Sequence, residues 1–192
     1  MKIVLASKSP RRKELLSLIC KDFEIRVSGA DESYDSSLSP SEIARTLAKV
    51  KAEAVSLEGD ELIIGCDTIV VAPNGEIMGK PIDDDDAIRM LNSLSGTEHS
   101  VISGICLRDK NKVYSDSVTT KVRMRQLDKC EIDAYVNSKH PTDKAGAYGI
   151  QEMAGAFIEG IIGDFYNVVG LPLCRLTEIL KEEYGINLIS ND

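Results

Sequence analysis

Two stretches of this 192-residue chain put charge where it is costly or unexpected. In "ELIIGCDTIVVA", residues 61–72, Asp67 stands inside a run of apolar side chains. A carboxylate in such a strand needs a cation, a metal ion or hydrogen-bond donors to offset its desolvation. It reads either as a general base or metal ligand at a strand interruption, or as a structural aspartate held by backbone amides or an arginine. In "LASKSPRRKELL", residues 5–16, Ser9 fits a helix N-cap and Pro10 the first helical position. Lys8, Arg11, Arg12 and Lys13 crowd that helix start, although a helix N-terminus is already partly positive and normally attracts Asp and Glu. One reading is an oxyanion site, with the amides, the Ser7 and Ser9 hydroxyls and the Arg11 and Arg12 guanidinium groups converging on phosphate. The other is a solvated basic turn that pairs with surface acids. No G-x-x-x-x-G-K-[ST] loop occurs.

Other charged residues carry weaker signals. Lys80 sits between Gly79 and Pro81, and Lys51 lies on the apolar edge of a helix, where lysines commonly snorkel. Each alone reads as a surface residue. Glu32 follows Asp31 at a strand end and reads as a loop acid unless a ligand needs it. Asp83 to Asp86 read as a helix cap that complements the macrodipole rather than as a metal site. His99, in "SGTEHSV", reads as a structural hydrogen-bonder; with His140 it completes the histidines of the chain, which argues against His-based metal or triad chemistry.

A net charge of −8 argues against general binding to nucleic acid or membrane, so any anion site must be local. Five scattered cysteines without a C-x-x-C pair form neither a disulfide framework nor a zinc site, and suggest reduced thiols in a cytoplasmic protein. "MKIVLAS" is too short for a signal peptide, and no run approaches transmembrane length.

The elements that must position these residues alternate early in the chain. "KIVLA" and "FEIRVSG" read as strands around the first helix, whose apolar face is Leu15, Leu16 and Ile19. "SPSE" (Ser39 to Glu42) is a capping box opening a helix with Ile43, Leu47, Val50 and Ala54 on one face, stopping near Gly59. After the strand around Asp67 and a "PNG" turn, Asp83 to Leu94 reads as a helix. "HSVISGICLR" and "SVTTKVRM" read as a hairpin around "DKNK", and Asp128 with Glu131 starts a helix through Val136. "KHPTDKAGAYGIQEMAG" is a long Gly-bearing loop of the kind that is usually functional. "AFIEGII" reads as a strand, and a last helix begins near Pro172. This pattern predicts an α/β fold: a twisted mixed β-sheet with flanking helices, in two lobes around a cleft, within one domain over 1–192.

Taken together, "LASKSPRRKELL", "GCDTIVV", "GKP", "SGTEHSV", "DKAGAYGIQ" and "NVVGLPL" resemble, in order and spacing, the Maf-like nucleoside triphosphate pyrophosphatases over residues 1 to about 185. The resemblance implies a fold similar to inosine triphosphate pyrophosphatases. It also implies cleavage of a nucleoside triphosphate between the α and β phosphorus atoms, giving a monophosphate and pyrophosphate. Asp67 would be the proton acceptor, while Ser7, Ser9, Arg12, Lys51 and Lys80 would hold phosphates. Glu32 and Asp67 would engage a divalent metal, Mg²⁺ or Mn²⁺. Arg11, Thr68 and Gln151 resemble the subfamily acting on dTTP and UTP. The chain departs from the family pattern at Cys66, where Ala is common, and at Glu152, where Gly usually follows the Gln. The chemistry agrees, because a triphosphate of about four negative charges calls for clustered Arg and Lys plus a hard cation. The partners expected are the nucleotide and a second copy of the chain in a homodimer. A nucleotide-binding regulator of cell division without essential catalysis, and a γ-phosphatase, are the competing expectations.

Overall fold

The structure, a computed structural model, describes residues 1–27, 29–138 and 144–189. The apolar run around Asp67 forms one strand, β3 (Glu61–Val71). The expected interruption at Gly-Cys-Asp-Thr is absent. Gly65 serves another purpose: a Cβ there would lie 2.2 Å from the Ala48 carbonyl oxygen of helix α2 (Pro40–Glu53). The residue is small so that helix and strand backbones can approach, and the ladder runs on unbroken.

The strands are β1 (Lys2–Leu5), β2 (Phe23–Ile25), β3, β4 (Ile77–Met78), β5 (Glu98–Arg108), β6 (Val113–Met124) and β7 (Ile158–Ile162). They form one seven-stranded mixed sheet of order β2-β1-β3-β5-β6-β7, with β4 paired to β3. β1 pairs parallel with both β2 and β3, placing Val4 opposite Ile63 and Leu5 opposite Ile64. β4 on β3 and β7 on β6 are antiparallel. The helices are α1 (Pro10–Ser17), α2, α3 (Asp84–Leu94), α4 (Lys129–Asn137), α5 (Phe165–Val169) and α6 (Leu173–Tyr184).

The chain divides into two compact units. Unit 1 comprises Met1–Asp67, Ser103–Val118 and Gly170–Asp192. Its core includes Val4, Ala6, Ala48, Ala52, Ile63 and Cys106. Helix α2 starts at the expected capping box, with Ser39 and Glu42 exchanging side-chain and backbone hydrogen bonds. Its buried face is Ile43, Ala44, Leu47, Ala48, Lys51 and Ala52. Val50 is only half-buried and Ala54 exposed, so the buried stripe differs from the expected one by putting Lys51 on the inner face. β2 is shorter than "FEIRVSG" suggested because its partner β1 ends at Leu5. The "VSG" end includes Ser28, which lies outside the described residues.

Unit 2 comprises Thr68–Ile102 and Thr119–Val169. Its core gathers Leu91, Leu94, Val101, Val122, Ile132 and Phe157. Asp83 caps α3 by accepting the Asp86 N–H at 2.8 Å, so the acidic run serves the helix start as expected. Asp128 and Glu131 form the second capping box. Part of the long loop is ordered as two 3₁₀ turns, Ala145–Ala147 and Met153–Phe157. The second takes the first residues of the expected "AFIEGII" strand, because Ala154 and Phe157 bury side chains at the three-residue 3₁₀ spacing. Residues 139–143 of that loop, His140 included, lie outside the described residues.

Candidate active site

The charged core of unit 1 rests on α2 and β3. Lys51 sits on the inner face of α2, and its Nζ lies 2.6 Å from Asp67 Oδ1 and 3.1 Å from Glu32 Oε2. Asp67 is 7% exposed and Lys51 9%, whereas the Glu32 side chain is more than half exposed. Lys51 is therefore no snorkelling surface residue, and the partner Asp67 requires is an ammonium group, not backbone amides. Removing Lys51 would leave the Asp67 carboxylate buried and uncompensated, at a cost of about 3–5 kcal/mol, whereas removing Asp67 leaves Lys51 its contact with Glu32.

The cation-rich helix start is a second cluster in unit 1. Ser9 occupies the N-cap position of α1, but its side chain makes no cap hydrogen bond. Ser7 makes a local turn instead: its buried Oγ accepts the Ser9 N–H at 3.2 Å and Arg12 Nη1 at 3.4 Å. The first turn of α1 carries no acid. Arg12 Nε donates to the Gly170 carbonyl at 2.9 Å. Cys66 Sγ donates to the same carbonyl at 3.2 Å. One backbone oxygen thus ties the guanidinium of α1 to the residue preceding Asp67. Burial pushes the Cys66 thiol up, so it stays a protonated donor and is no nucleophile. Gly170, which the sequence left unassigned, joins Arg12 and Cys66 through its carbonyl. Its only signal was its place in "NVVGLPL".

Glu32 and Asp67 meet at a single ammonium, and their oxygens suit a hard cation such as Mg²⁺ or Mn²⁺. Among the described residues no group of three or more His, Cys, Asp and Glu could hold a metal ion. Two carboxylates with substrate phosphates and water completing the shell is the usual Mg²⁺ arrangement at phosphoryl sites, so this donor pair fits.

Thr68, Lys80 and Gln151 belong to unit 2. Thr68 directly follows Asp67 on β3 and is half-buried; Lys80 and Gln151 are exposed. Gly79 accepts the Gly146 N–H through its carbonyl at 3.0 Å, which fixes the backbone next to Lys80. Gly146 has φ 68° and Ala147 φ 61°, two successive left-handed residues. Ala147 is the only non-glycine residue with positive φ among those described, and such a conformation costs about 1–2 kcal/mol. His99 is buried as expected, with Nε2 2.7 Å from the Tyr148 hydroxyl. Its Nδ1 has no hydrogen-bond partner among the described residues. Burial, with a smaller contribution from Lys121, lowers its pKa to about 4. Burial pushes the Tyr148 phenol up, so both rings are neutral near pH 7.

The family described as "Maf-like protein" matches residues 2–183. A dTTP/UTP pyrophosphatase of Alkaliphilus metalliredigens is 47% identical, covering 98% of this chain and 99% of that protein. A dTTP/UTP pyrophosphatase of Clostridium novyi is 49% identical, covering 98% and 100%. Among solved structures, the Ham1 protein of Staphylococcus aureus superposes with a TM-score of 0.53 at 19% identity, covering 95% of this chain and 100% of that one. A HAM1 protein from Coxiella burnetii gives 0.50 at 16% identity. These two likenesses concern the fold alone.

Proposed function

The chain belongs to the Maf-like protein family, and from that premise we propose that it hydrolyses dTTP and UTP to the nucleoside monophosphate and pyrophosphate. The observation that carries the chemistry is the Lys51 ammonium shared by Asp67 and Glu32. The Arg12–Ser7 cluster is linked to the same strand through Gly170 and Cys66. The names of the relatives support the reaction and the substrates.

In this reading Ser7, Ser9, Arg12, Lys51 and Lys80 bind the triphosphate. An ammonium has three N–H donors; one of Lys51's goes to Asp67 and Glu32 is an ion-pair partner, so donor capacity remains for a phosphate oxygen. Asp67 takes the proton of a water molecule whose oxygen attacks the α-phosphorus. The bond from that phosphorus to the bridging oxygen breaks, and pyrophosphate leaves with the electron pair. The guanidinium and ammonium groups are fixed in advance where negative charge grows on the leaving group. Glu32 and Asp67 would hold a divalent cation, which supplies charge neutralisation at the phosphates when bound.

Arg11, Thr68 and Gln151 select the base. A Gln amide can donate to one pyrimidine carbonyl and accept from N3–H, matching uracil and thymine. Cytosine leaves a group unpaired, which costs about 1–3 kcal/mol, or roughly 5- to 150-fold in rate. The cytoplasm is the compartment that fits a nucleotide hydrolase with five free cysteines.

A panel of UTP, dTTP, CTP, ATP and GTP, assayed with Mg²⁺ and Mn²⁺ and resolved by anion exchange, tests this reading. UTP and dTTP should lead, with pyrophosphate as second product. A purine lead, orthophosphate in place of pyrophosphate, or tight binding without turnover would contradict it.

A further inference from the structure

The 144–152 segment is fastened at several points within unit 2. Lys144, buried, places its Nζ 3.1 Å from Glu152 Oε2, closing the segment end to end. Gly149 packs on the Lys144 stem so closely that a Cβ would lie 2.6 Å from Lys144 Cε. Glu152 N–H donates to the Gly149 carbonyl at 3.1 Å. At the middle, Tyr148 is pinned to His99 of β5 by the 2.7 Å hydrogen bond and an edge-to-face ring contact. At the turn, Gly146 donates to the Gly79 carbonyl, and a Cβ on it would meet Val70 at 3.0 Å.

Three of the residues in these contacts adjoin residues assigned to the substrate. Val70 lies two residues beyond Thr68, Gly79 precedes Lys80, and Glu152 follows Gln151. We infer that residues 144–152 form a clasp that holds Thr68, Lys80 and Gln151 in one frame, with Tyr148 and His99 as its positioning residues. This rests on the assignment of those three residues to the substrate in the proposed function. Neither ring is given a proton to transfer. A neutral hydrogen bond between buried rings fixes a backbone and leaves the charge for the ligand. The left-handed Ala147 is the sign of a segment whose shape its surroundings over-determine. Glu152, at a place where the family pattern expects Gly, adds the ion pair to Lys144 and so closes a loop that a Gly would leave open.

The test measures kcat and KM for UTP and CTP with the full chain carrying Tyr148→Phe, alongside thermal midpoints. The variant keeps the ring and removes the hydroxyl. The clasp predicts that kcat/KM for UTP falls roughly 10-fold, mostly through KM, and that the UTP:CTP ratio narrows. A UTP:CTP ratio that stays at the wild-type value in folded protein overturns the inference, whatever the thermal midpoint does. Should Tyr148→Phe fail to fold because His99 loses its partner, His99→Leu with Tyr148→Phe removes both polar groups together. Hydrogen exchange over 144–157 in that double variant must then be faster than in wild type; unchanged exchange overturns the clasp. If wild type itself prefers another nucleotide, the substrate assignment fails, and the clasp is judged on the ratio of that nucleotide to its nearest competitor.

Discussion

The two units fasten their candidate site residues by different mixtures of contacts. In unit 1 the groups held are charged: Lys51 is paired with Asp67 and Glu32, and Arg12 is aimed by the Ser7 hydroxyl and the Gly170 carbonyl. In unit 2 the fastening of the loop leading to Gln151 includes neutral groups, the His99–Tyr148 bond, a Gly146 turn seated on Val70 and a strained Ala147. Charge strengthens an interaction with a phosphate or a developing oxyanion but distinguishes poorly between bases. Neutral, buried and shape-defined contacts distinguish well, because a mismatch leaves a polar group unpaired. Substitutions at Asp67 and Arg12 of unit 1 should therefore lower turnover on every nucleotide alike, and those in the 144–152 segment of unit 2 should alter the preference among nucleotides.

The largest effect expected is that of Asp67→Asn. Loss of a general base removes about 10²–10⁴ in rate, and the loss is greater if the same carboxylate holds the cation. Circular dichroism should show a folded protein, and kcat should fall on UTP and CTP by the same factor. A folded Asp67→Asn protein with near-normal turnover removes Asp67 from the chemistry.

Arg12→Ala should follow at roughly 10²–10³, again without change in the UTP:CTP ratio. Steady-state kinetics on both nucleotides check it. If kinetics stay untouched and only solubility changes, the helix start is a solvated basic turn.

How these regions could be read from sequence also differs. The caps of α2, α3 and α4 were legible because Ser39 with Glu42, Asp83, and Asp128 with Glu131 carry their hydrogen-bonding partners within one turn. Asp67 was legible as a carboxylate needing a partner. That the partner is Lys51 was not, since the pairing depends on which face of α2 meets β3, and Gly65 decides that through a close backbone approach. Ser9 had the right type and place for an N-cap and does occupy that position, yet its side chain makes no cap bond, and Ser7 instead accepts the Ser9 N–H and contacts Arg12. The fastening of unit 2 was least legible. His99 and Tyr148 are 49 residues apart, and sequence patterns report on neighbours along the chain.

A smaller effect concerns stability and pH. His99 titrates near 4 in the folded protein, against about 6.5 when exposed. The unfolded chain therefore binds a proton that the folded protein refuses. The stability this represents is full above pH 6.5 and is lost as pH falls toward 4, about 3 kcal/mol at 1.36 kcal/mol per pKa unit. Glu24 and Glu131, held near 2 by hydrogen bonds from Arg26 and Arg125, act in a lower window, below about 4.5. Urea midpoints between pH 7 and 4.5 should thus decline in wild type. They should decline less in the variant that combines His99→Leu with Tyr148→Phe; equal slopes contradict the burial of a neutral imidazole.

Ala147→Gly should have the smallest effect. Glycine relieves the left-handed strain but enlarges the unfolded ensemble, so stability should move by less than about 1 kcal/mol. A looser turn should narrow the UTP:CTP ratio about threefold, under 1 kcal/mol of transition-state energy. An unchanged ratio would mean that this residue's conformation is not what sharpens selection.

The central claim is that water attacks the α-phosphorus, with Asp67 as proton acceptor. Hydrolysis of UTP in oxygen-18 water, followed by mass spectrometry of both products, tests it most directly. The account predicts UMP and pyrophosphate, with the heavy oxygen in the phosphate of UMP. Label in pyrophosphate would mean attack at the β-phosphorus, and labelled orthophosphate with UDP would mean attack at the γ-phosphorus; either result would contradict it.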